Sequence, residues 1–119
     1  MSFVADLPSR SEIIVVGGGI VGASIAYHLT KLGRSDVAVL ERHELTGGTT
    51  WHAAGLVAQL RATENLTRLA QYSLELYKTL EEETGQATGF LAPGAISLAS
   101  TEHRWEELRR TAAMARYSA

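Results

Sequence analysis

The chain contains no cysteine and only two prolines among its 119 residues. The absence of cysteine excludes disulfides, thiolate zinc sites and iron–sulfur clusters built from this segment. A membrane-spanning helix needs roughly 20 consecutive apolar residues. The longest near-apolar stretch, residues 13–26, is shorter than that and contains four glycines. We therefore expect no membrane span and no metal site.

Neither sign of charge dominates the sequence. Eleven basic and thirteen acidic side chains give a net charge of −2, and neither kind forms a long block. A nucleic-acid or anionic membrane surface would need a basic patch, so we expect a small-molecule ligand instead. Residues 1–10 lack the basic start and apolar stretch of a secretory signal. The cytoplasm is the expected compartment, with the mitochondrial matrix as the alternative for a eukaryotic source.

A strand, a glycine-rich loop, a helix and a second strand are predicted in succession over residues 13–41. Apolar runs at residues 13–16 and 37–40 predict the strands, and residues 20–31 predict an amphipathic helix that Gly33 closes. The loop between the first strand and the helix reads Gly17-Gly18-Gly19-Ile20-Val21-Gly22. This order is the βαβ fingerprint of dinucleotide binding.

Each glycine of the fingerprint has a separate task. Gly17 permits the tight turn out of the strand, Gly19 lets the backbone approach a pyrophosphate, and Gly22 lets the helix pack closely on the sheet. The pyrophosphate is attracted by the free N–H groups and the dipole of the helix that opens at Ile20 and Val21. No lysine is needed at this position, and none is present.

An acidic residue follows the second strand. Glu41 lies nineteen residues after Gly22 (41 − 22), close to the roughly 20-residue spacing at which a carboxylate reaches the ribose hydroxyls. Such a carboxylate accepts hydrogen bonds from the 2′-OH and 3′-OH and repels a 2′-phosphate. The fingerprint alone does not choose between NAD and FAD.

The remaining sequence predicts a long helix, a hairpin and a final helix. Thr63 is the expected N-cap of the long helix and Gly85 its stop, with Leu66 and Leu69 on the apolar face. Two short strands around Pro93-Gly94 are expected to form the hairpin, and Thr101 to cap the last helix. A doubly wound sheet needs further parallel strands. We therefore expect residues 1–119 to be part of a larger enzyme.

The loop after the second strand favours FAD. Residues 47–55 are mostly small or carry hydroxyl groups, which permits close backbone approach and hydrogen bonding to a pyrophosphate or ribityl chain. An NAD-binding unit would not usually need a second such loop directly after its ribose acid. The predicted fold class is α/β, the N-terminal part of a Rossmann-like FAD-binding domain.

The sequence resembles the FAD-dependent amine oxidoreductases of the D-amino-acid-oxidase-like superfamily, and within it the dimethylglycine and sarcosine dehydrogenases. The resemblance covers nearly the whole chain, and its most specific block is Thr50-Trp51-His52-Ala53-Ala54-Gly55. In that family the histidine of this block is joined to the 8α-methyl group of the flavin. The resemblance therefore implies covalent FAD on His52. The cofactor contacts implied by motif position are Gly17, Gly19, Ile20, Val21, Gly22, Glu41, Arg42, Gly48, Thr49, Thr50, Trp51, His52, Ala53, Ala54, Gly55 and Leu56.

The reaction that the resemblance implies is oxidative N-demethylation of a small N-methylated amino acid, with hydride transfer to the flavin. The electron acceptor, for instance an electron-transfer flavoprotein or oxygen, is left open, as is folate use by a full-length relative. No catalytic acid or base is assigned within this segment. Two alternatives remain: an NAD(P)-dependent dehydrogenase domain, and a truncated FAD-binding fragment without activity.

Overall fold

A computed structural model describes residues 7–117; residues 1–6, part of the N-terminal stretch expected not to be a secretory signal, lie outside this range. The elements in chain order are β1 (Ile13–Val16), α1 (Ile20–Lys31), β2 (Val37–Leu40), a single 3₁₀ turn (Thr49–His52), α2 (Glu64–Thr84) and α3 (Glu102–Tyr117). The chain divides after Gly55 into two compact units. The first unit contains the βαβ segment and the 3₁₀ turn, and the second contains α2 and α3.

The two strands form a parallel pair, as the sequence predicts. Ile13 pairs with Val37 and Val16 with Leu40, and the β-branched residues of both strands suit a pleated surface. Just before the two strands begin, the Asp36 carboxylate accepts hydrogen bonds from the Glu12 N–H at 3.0 Å and the Ser11 hydroxyl at 3.1 Å. These bonds fasten the segment before β1 to the residue before β2, and so support the register.

Helix α1 crosses from β1 to β2 and packs on the strands through a glycine. A Cβ atom at Gly22 would lie 1.8 Å from the Gly17 carbonyl oxygen, so only hydrogen fits at this position. Gly17 itself has φ +109°, a left-handed conformation that a side chain disfavours. The tasks predicted for Gly17 and Gly22, a tight turn and close packing, are both confirmed.

Helices α2 and α3 begin at the predicted caps. The Thr63 hydroxyl accepts a hydrogen bond from the Leu66 N–H at 3.4 Å, and Gly85 ends α2 with φ +68°. The Thr101 hydroxyl accepts from the Arg104 N–H at 3.2 Å at the start of α3. Such caps satisfy N–H groups that the first helical turn leaves unpaired. Within residues 7–117, none of the helices combines the length and apolarity needed to cross a bilayer.

The apolar face predicted for α2 is partly wrong. Thr67 and Leu74 are its buried residues, whereas Leu66 and Leu69 are 50% and 61% exposed. The Thr67 hydroxyl explains part of the shift, because it accepts a hydrogen bond from the Arg61 N–H at 3.0 Å. The helix therefore turns a polar side chain toward the segment that precedes it.

The predicted hairpin around Pro93-Gly94 is not formed among the described residues. Residues 87–99 have no regular secondary structure, although Gly94 has the positive φ of +83° that the third residue of a type II turn needs. Leu91 and Ile96 are 81% and 92% exposed. An isolated two-stranded hairpin is marginal in water. The two apolar runs on either side of Pro93-Gly94 bury too little surface to offset the conformational entropy lost on ordering them as strands.

We predict that Gly22→Ala lowers the free energy of unfolding by about 2 kcal/mol, because the added methyl group forces α1 away from β1. The sign of this change distinguishes packing from helix propensity, because alanine in place of glycine inside a helix normally stabilises a protein by about 1 kcal/mol. Urea unfolding of the full chain, followed by circular dichroism, measures the change. Val21→Ala is the control, because Val21 is 70% exposed on the same helix. A Gly22→Ala protein as stable as the wild type would contradict this packing.

Candidate functional site

A cleft of about 410 Å³ opens at the C-terminal ends of β1 and β2, beside the start of α1. Its walls come mainly from three segments: Gly17 and Gly19 of the glycine loop (residues 17–19) with the first turn of α1, residues 41–43 after β2, and residues 46–50 of the threonine loop, defined here as residues 45–52. The carboxyl ends of parallel strands are where open α/β sheets bind their ligands. The cleft is therefore the candidate site.

The glycine loop is held from both sides at Gly18. Its N–H donates to Glu41 Oε2 at 2.7 Å, and its carbonyl oxygen accepts from the Thr46 N–H at 3.0 Å. A Cβ atom at Gly18 would lie 2.5 Å from the Leu45 side chain. Sequence reasoning assigned Gly18 no role. The sequence does contain a signal for such a role: it has three consecutive glycines, whereas the fingerprint needs only the first and the third.

Glu41 lies at the cleft wall, at the end of β2 where the sequence predicts the ribose acid. Besides the Gly18 N–H, its carboxylate accepts from the His43 N–H at 3.0 Å. The hydrogen bond from Gly18, and then that from His43, lower the pKa of the Glu41 carboxyl below its ordinary value. The side chain is therefore ionised at neutral pH and fixed in place by backbone donors.

The first turn of α1 faces the same cleft. Gly19 is the N-cap residue and has no side chain to satisfy the helix. Instead the Ile20 N–H donates to Thr50 Oγ1 at 3.0 Å, across thirty residues of sequence. The first turn carries no acidic residue, so its partial positive charge is not neutralised there. This end of the helix can accept an anion.

The 3₁₀ turn carries Trp51 and His52. The Trp51 N–H donates to the Gly48 carbonyl at 3.2 Å, and His52 Nδ1 lies 3.1 Å from the same oxygen. Because a carbonyl oxygen only accepts hydrogen bonds, Nδ1 carries the hydrogen. In the neutral imidazole, Nε2 then holds the lone pair. His52 is exposed, and its Nε2 takes no part in this hydrogen bond.

The structure brings together only part of the predicted set. The predicted residues that line the cleft are Gly17, Gly19, Ile20, Val21, Gly22, Glu41, Arg42, Gly48, Thr49 and Thr50. The predicted residues Trp51, His52, Ala53, Ala54 and Gly55 are exposed and do not line it, and Leu56 belongs to the second unit. Within residues 7–117, no group of three acidic or histidine side chains could hold a metal ion.

The family described as FAD dependent oxidoreductase (DAO) matches residues 12–119. The chain belongs to this family. The βαβ geometry and the small-residue cleft wall are thus those of a FAD-dependent oxidoreductase family, as the resemblance implied, and the NAD(P) alternative loses its support.

Curated relatives agree with this membership. The chain is 51% identical over 100 residues to dimethylglycine dehydrogenase from Rattus norvegicus. It is 48% identical over 102 residues to a 4-methylaminobutanoate oxidase from Paenarthrobacter nicotinovorans, and 45% identical over 105 residues to sarcosine dehydrogenase from Homo sapiens. These alignments cover 84%, 86% and 87% of this chain, but only 12%, 12% and 11% of the relatives.

A solved structure agrees as well. The L-proline dehydrogenase of P. horikoshii superposes on this chain with a TM-score of 0.84 at 32% sequence identity. The match covers 95% of this chain and 29% of that one. The predicted fold class is therefore confirmed: the α/β architecture of this chain is that of a segment of a FAD-dependent oxidoreductase family.

We predict that Glu41 makes stability pH-dependent. Its folded-state pKa is lower than the ordinary 4.5, so its contribution is fully present above that value and is lost as the pH falls through the lower folded pKa. Glu41→Gln removes this component, because a carboxamide does not titrate in this pH range. Urea midpoints measured from pH 7 down to pH 3 should fall less steeply for Glu41→Gln than for the wild type. Glu44→Gln, an exposed neighbour, should keep the wild-type slope; equal slopes for all three would contradict the assignment.

Proposed function

We propose that this protein contributes the FAD-binding segment of an enzyme that oxidatively demethylates a small N-methylated amino acid. The proposal draws on the family membership and on the names of the relatives, which include dimethylglycine dehydrogenase, sarcosine dehydrogenase and 4-methylaminobutanoate oxidase. The compounds in these names, dimethylglycine, sarcosine and 4-methylaminobutanoate, each combine an N-methylated amine with a carboxylate. The substrate class follows from that shared chemistry.

The residues of the cleft fit an adenine dinucleotide. The glycine loop presents bare backbone, since Gly18 and Gly19 have no room for a Cβ atom, and the first turn of α1 offers N–H groups to a pyrophosphate. Glu41 is ionised and fixed, as a residue that accepts from ribose hydroxyls must be. Arg42 would lie at the adenosine end, and residues 48–56 would follow the pyrophosphate and the flavin.

The proposal of a covalent cofactor on His52 draws on the resemblance of the block Thr50–Gly55 to that family, and the geometry around His52 supports it. Its Nδ1–H donates to the Gly48 carbonyl oxygen, which fixes the tautomer and leaves the Nε2 lone pair available. We assign Nε2 as the atom that bonds to the flavin 8α carbon. Replacing a C–H bond by a C–N bond there is a two-electron oxidation that releases a proton, and dioxygen or another acceptor must take up the electrons.

Bound flavin would supply the hydride acceptor for the substrate N-methyl carbon. The residues of this chain hold the cofactor and orient it. No catalytic acid or base is assigned among residues 7–117, and the imine product would be hydrolysed or captured by folate. An electron-transfer flavoprotein or oxygen would accept the electrons, in the cytoplasm or, for a eukaryotic source, in the mitochondrial matrix.

We predict that the protein retains flavin after acid precipitation, because a C–N bond survives denaturation whereas hydrogen bonds do not. The absorbance spectrum of the washed pellet and the intact mass of the full chain measure attachment. His52→Ala should lose the retained flavin entirely, since alanine has no nucleophile. His103→Ala should retain it, because His103 lies in α3 of the other unit.

The outcomes separate the parts of the proposal. Flavin that appears only in the supernatant would overturn covalent attachment and leave FAD binding intact. Retention in His52→Ala would overturn the attachment site. A protein that takes up no FAD in either form would overturn the proposed cofactor role of this chain.

A further inference from the structure

We propose that Thr50 is a positioning residue: its hydroxyl group docks the 3₁₀ turn that carries His52 onto the first turn of α1. The proposal deepens the proposed function, on which its consequence for covalent attachment rests. It makes the pyrophosphate end of the cleft and the attachment residue parts of one hydrogen-bonded unit.

The start of α1 has no cap within its own sequence. The N-cap residue Gly19 has no side chain that could accept a hydrogen bond. The Ile20 N–H, one of the donors that a helix leaves unpaired at its start, instead donates to Thr50 Oγ1 at 3.0 Å. A residue of the threonine loop therefore supplies the cap that the helix lacks.

Close approach makes this contact possible. A Cβ atom at Gly19 would lie 2.9 Å from Thr50 Oγ1, which is tighter than real side chains allow. Gly19 therefore admits the Thr50 hydroxyl to the helix terminus, a task additional to the pyrophosphate approach that the fingerprint predicts. Thr50 is half-buried at this contact, whereas its neighbour Thr49 is exposed.

The position of Thr50 also determines where His52 lies. Both residues belong to the same 3₁₀ turn (Thr49–His52), and the Thr50 carbonyl oxygen accepts from the Ala53 N–H at 3.2 Å. The turn is closed internally by the bonds of Trp51 and His52 to the Gly48 carbonyl oxygen. Because the turn is short and internally bonded, anchoring it at Thr50 anchors the imidazole two residues later.

The test compares three variants of the full chain. Thr50→Val keeps the β-branched shape and removes the hydroxyl, Thr50→Ser keeps the hydroxyl, and Thr30→Val is the matched control. The Thr30 hydroxyl donates to the Tyr27 carbonyl at 2.7 Å within α1, so Thr30→Val loses a hydrogen bond of the same helix away from the cleft.

The first readout needs no flavin. Amide hydrogen exchange of Ile20, followed by NMR on the apoprotein, should become about fivefold faster in Thr50→Val, the change expected when one net hydrogen bond is lost. Thr50→Ser and Thr30→Val should keep the wild-type rate. Unchanged exchange in Thr50→Val, or an equal acceleration in Thr30→Val, would overturn the proposal.

The second readout is covalent attachment of added FAD, measured in acid-precipitated protein over time. Attachment should be at least fivefold slower in Thr50→Val and near the wild-type rate in Thr50→Ser. If exchange changes as expected but attachment does not slow, the role of Thr50 in placing His52 is overturned. If the wild type attaches no flavin, the proposed covalent function fails, while the exchange readout still decides whether Thr50 docks the turn.

Discussion

The close approach of helix α1, at Gly22, to the Gly17 carbonyl just after strand β1 is the contact on which the rest of the site depends. With 1.8 Å between an added Cβ atom and the Gly17 carbonyl oxygen, only a hydrogen atom separates the helix from the loop that precedes it. This contact sets the direction in which the helix N-terminus points. The unpaired N–H groups and the positive end of the helix dipole therefore face the cleft.

A second layer of contacts holds the loops around that helix terminus. Glu41 and Thr46 bind the N–H and the carbonyl oxygen of Gly18, and Thr50 accepts from the N–H of Ile20. The donors and acceptors in these hydrogen bonds are mostly backbone groups, so the contacts depend more on the backbone conformation of the loops than on their side chains. The glycines are the residues through which the loops meet, and the acid and the threonine are the residues that join them.

Regular elements with local signals could be predicted from the sequence. The bounds of β1, α1 and β2 follow from the apolar pattern, from Gly17 and Gly33 after β1 and α1, and from the acidic Glu41 after β2. The caps of α2 and α3 follow from Thr63, Gly85 and Thr101, since a hydroxyl or a left-handed glycine acts within a few residues. Family membership likewise follows from the block around His52, which is a local pattern.

Features that depend on distant partners could not be predicted. The 3₁₀ turn is fixed by the hydrogen bond between Thr50 and Ile20 and by the one that the Trp51 N–H donates to the Thr46 carbonyl. No periodicity of the sequence reveals these contacts. The hairpin around Pro93-Gly94 was expected from two apolar runs, but such runs form strands only when neighbours bury them. The exposure of Leu66 and Leu69 has the same origin. Apolar residues at helical spacing show that one face of a helix is apolar, but they do not show which part of the protein covers that face.

The parallel pairing of β1 and β2 has a consequence for how the chain folds. Ile13 meets Val37 only 24 residues later (37 − 13), so the chain closes a short loop, and α1 fills most of it with local hydrogen bonds. Closing such a loop loses less entropy than closing a longer one, and the hydrogen bonds of α1 are local contacts within it. The walls of the cleft come from residues 15–50. The candidate cleft is thus assembled from one continuous stretch of chain.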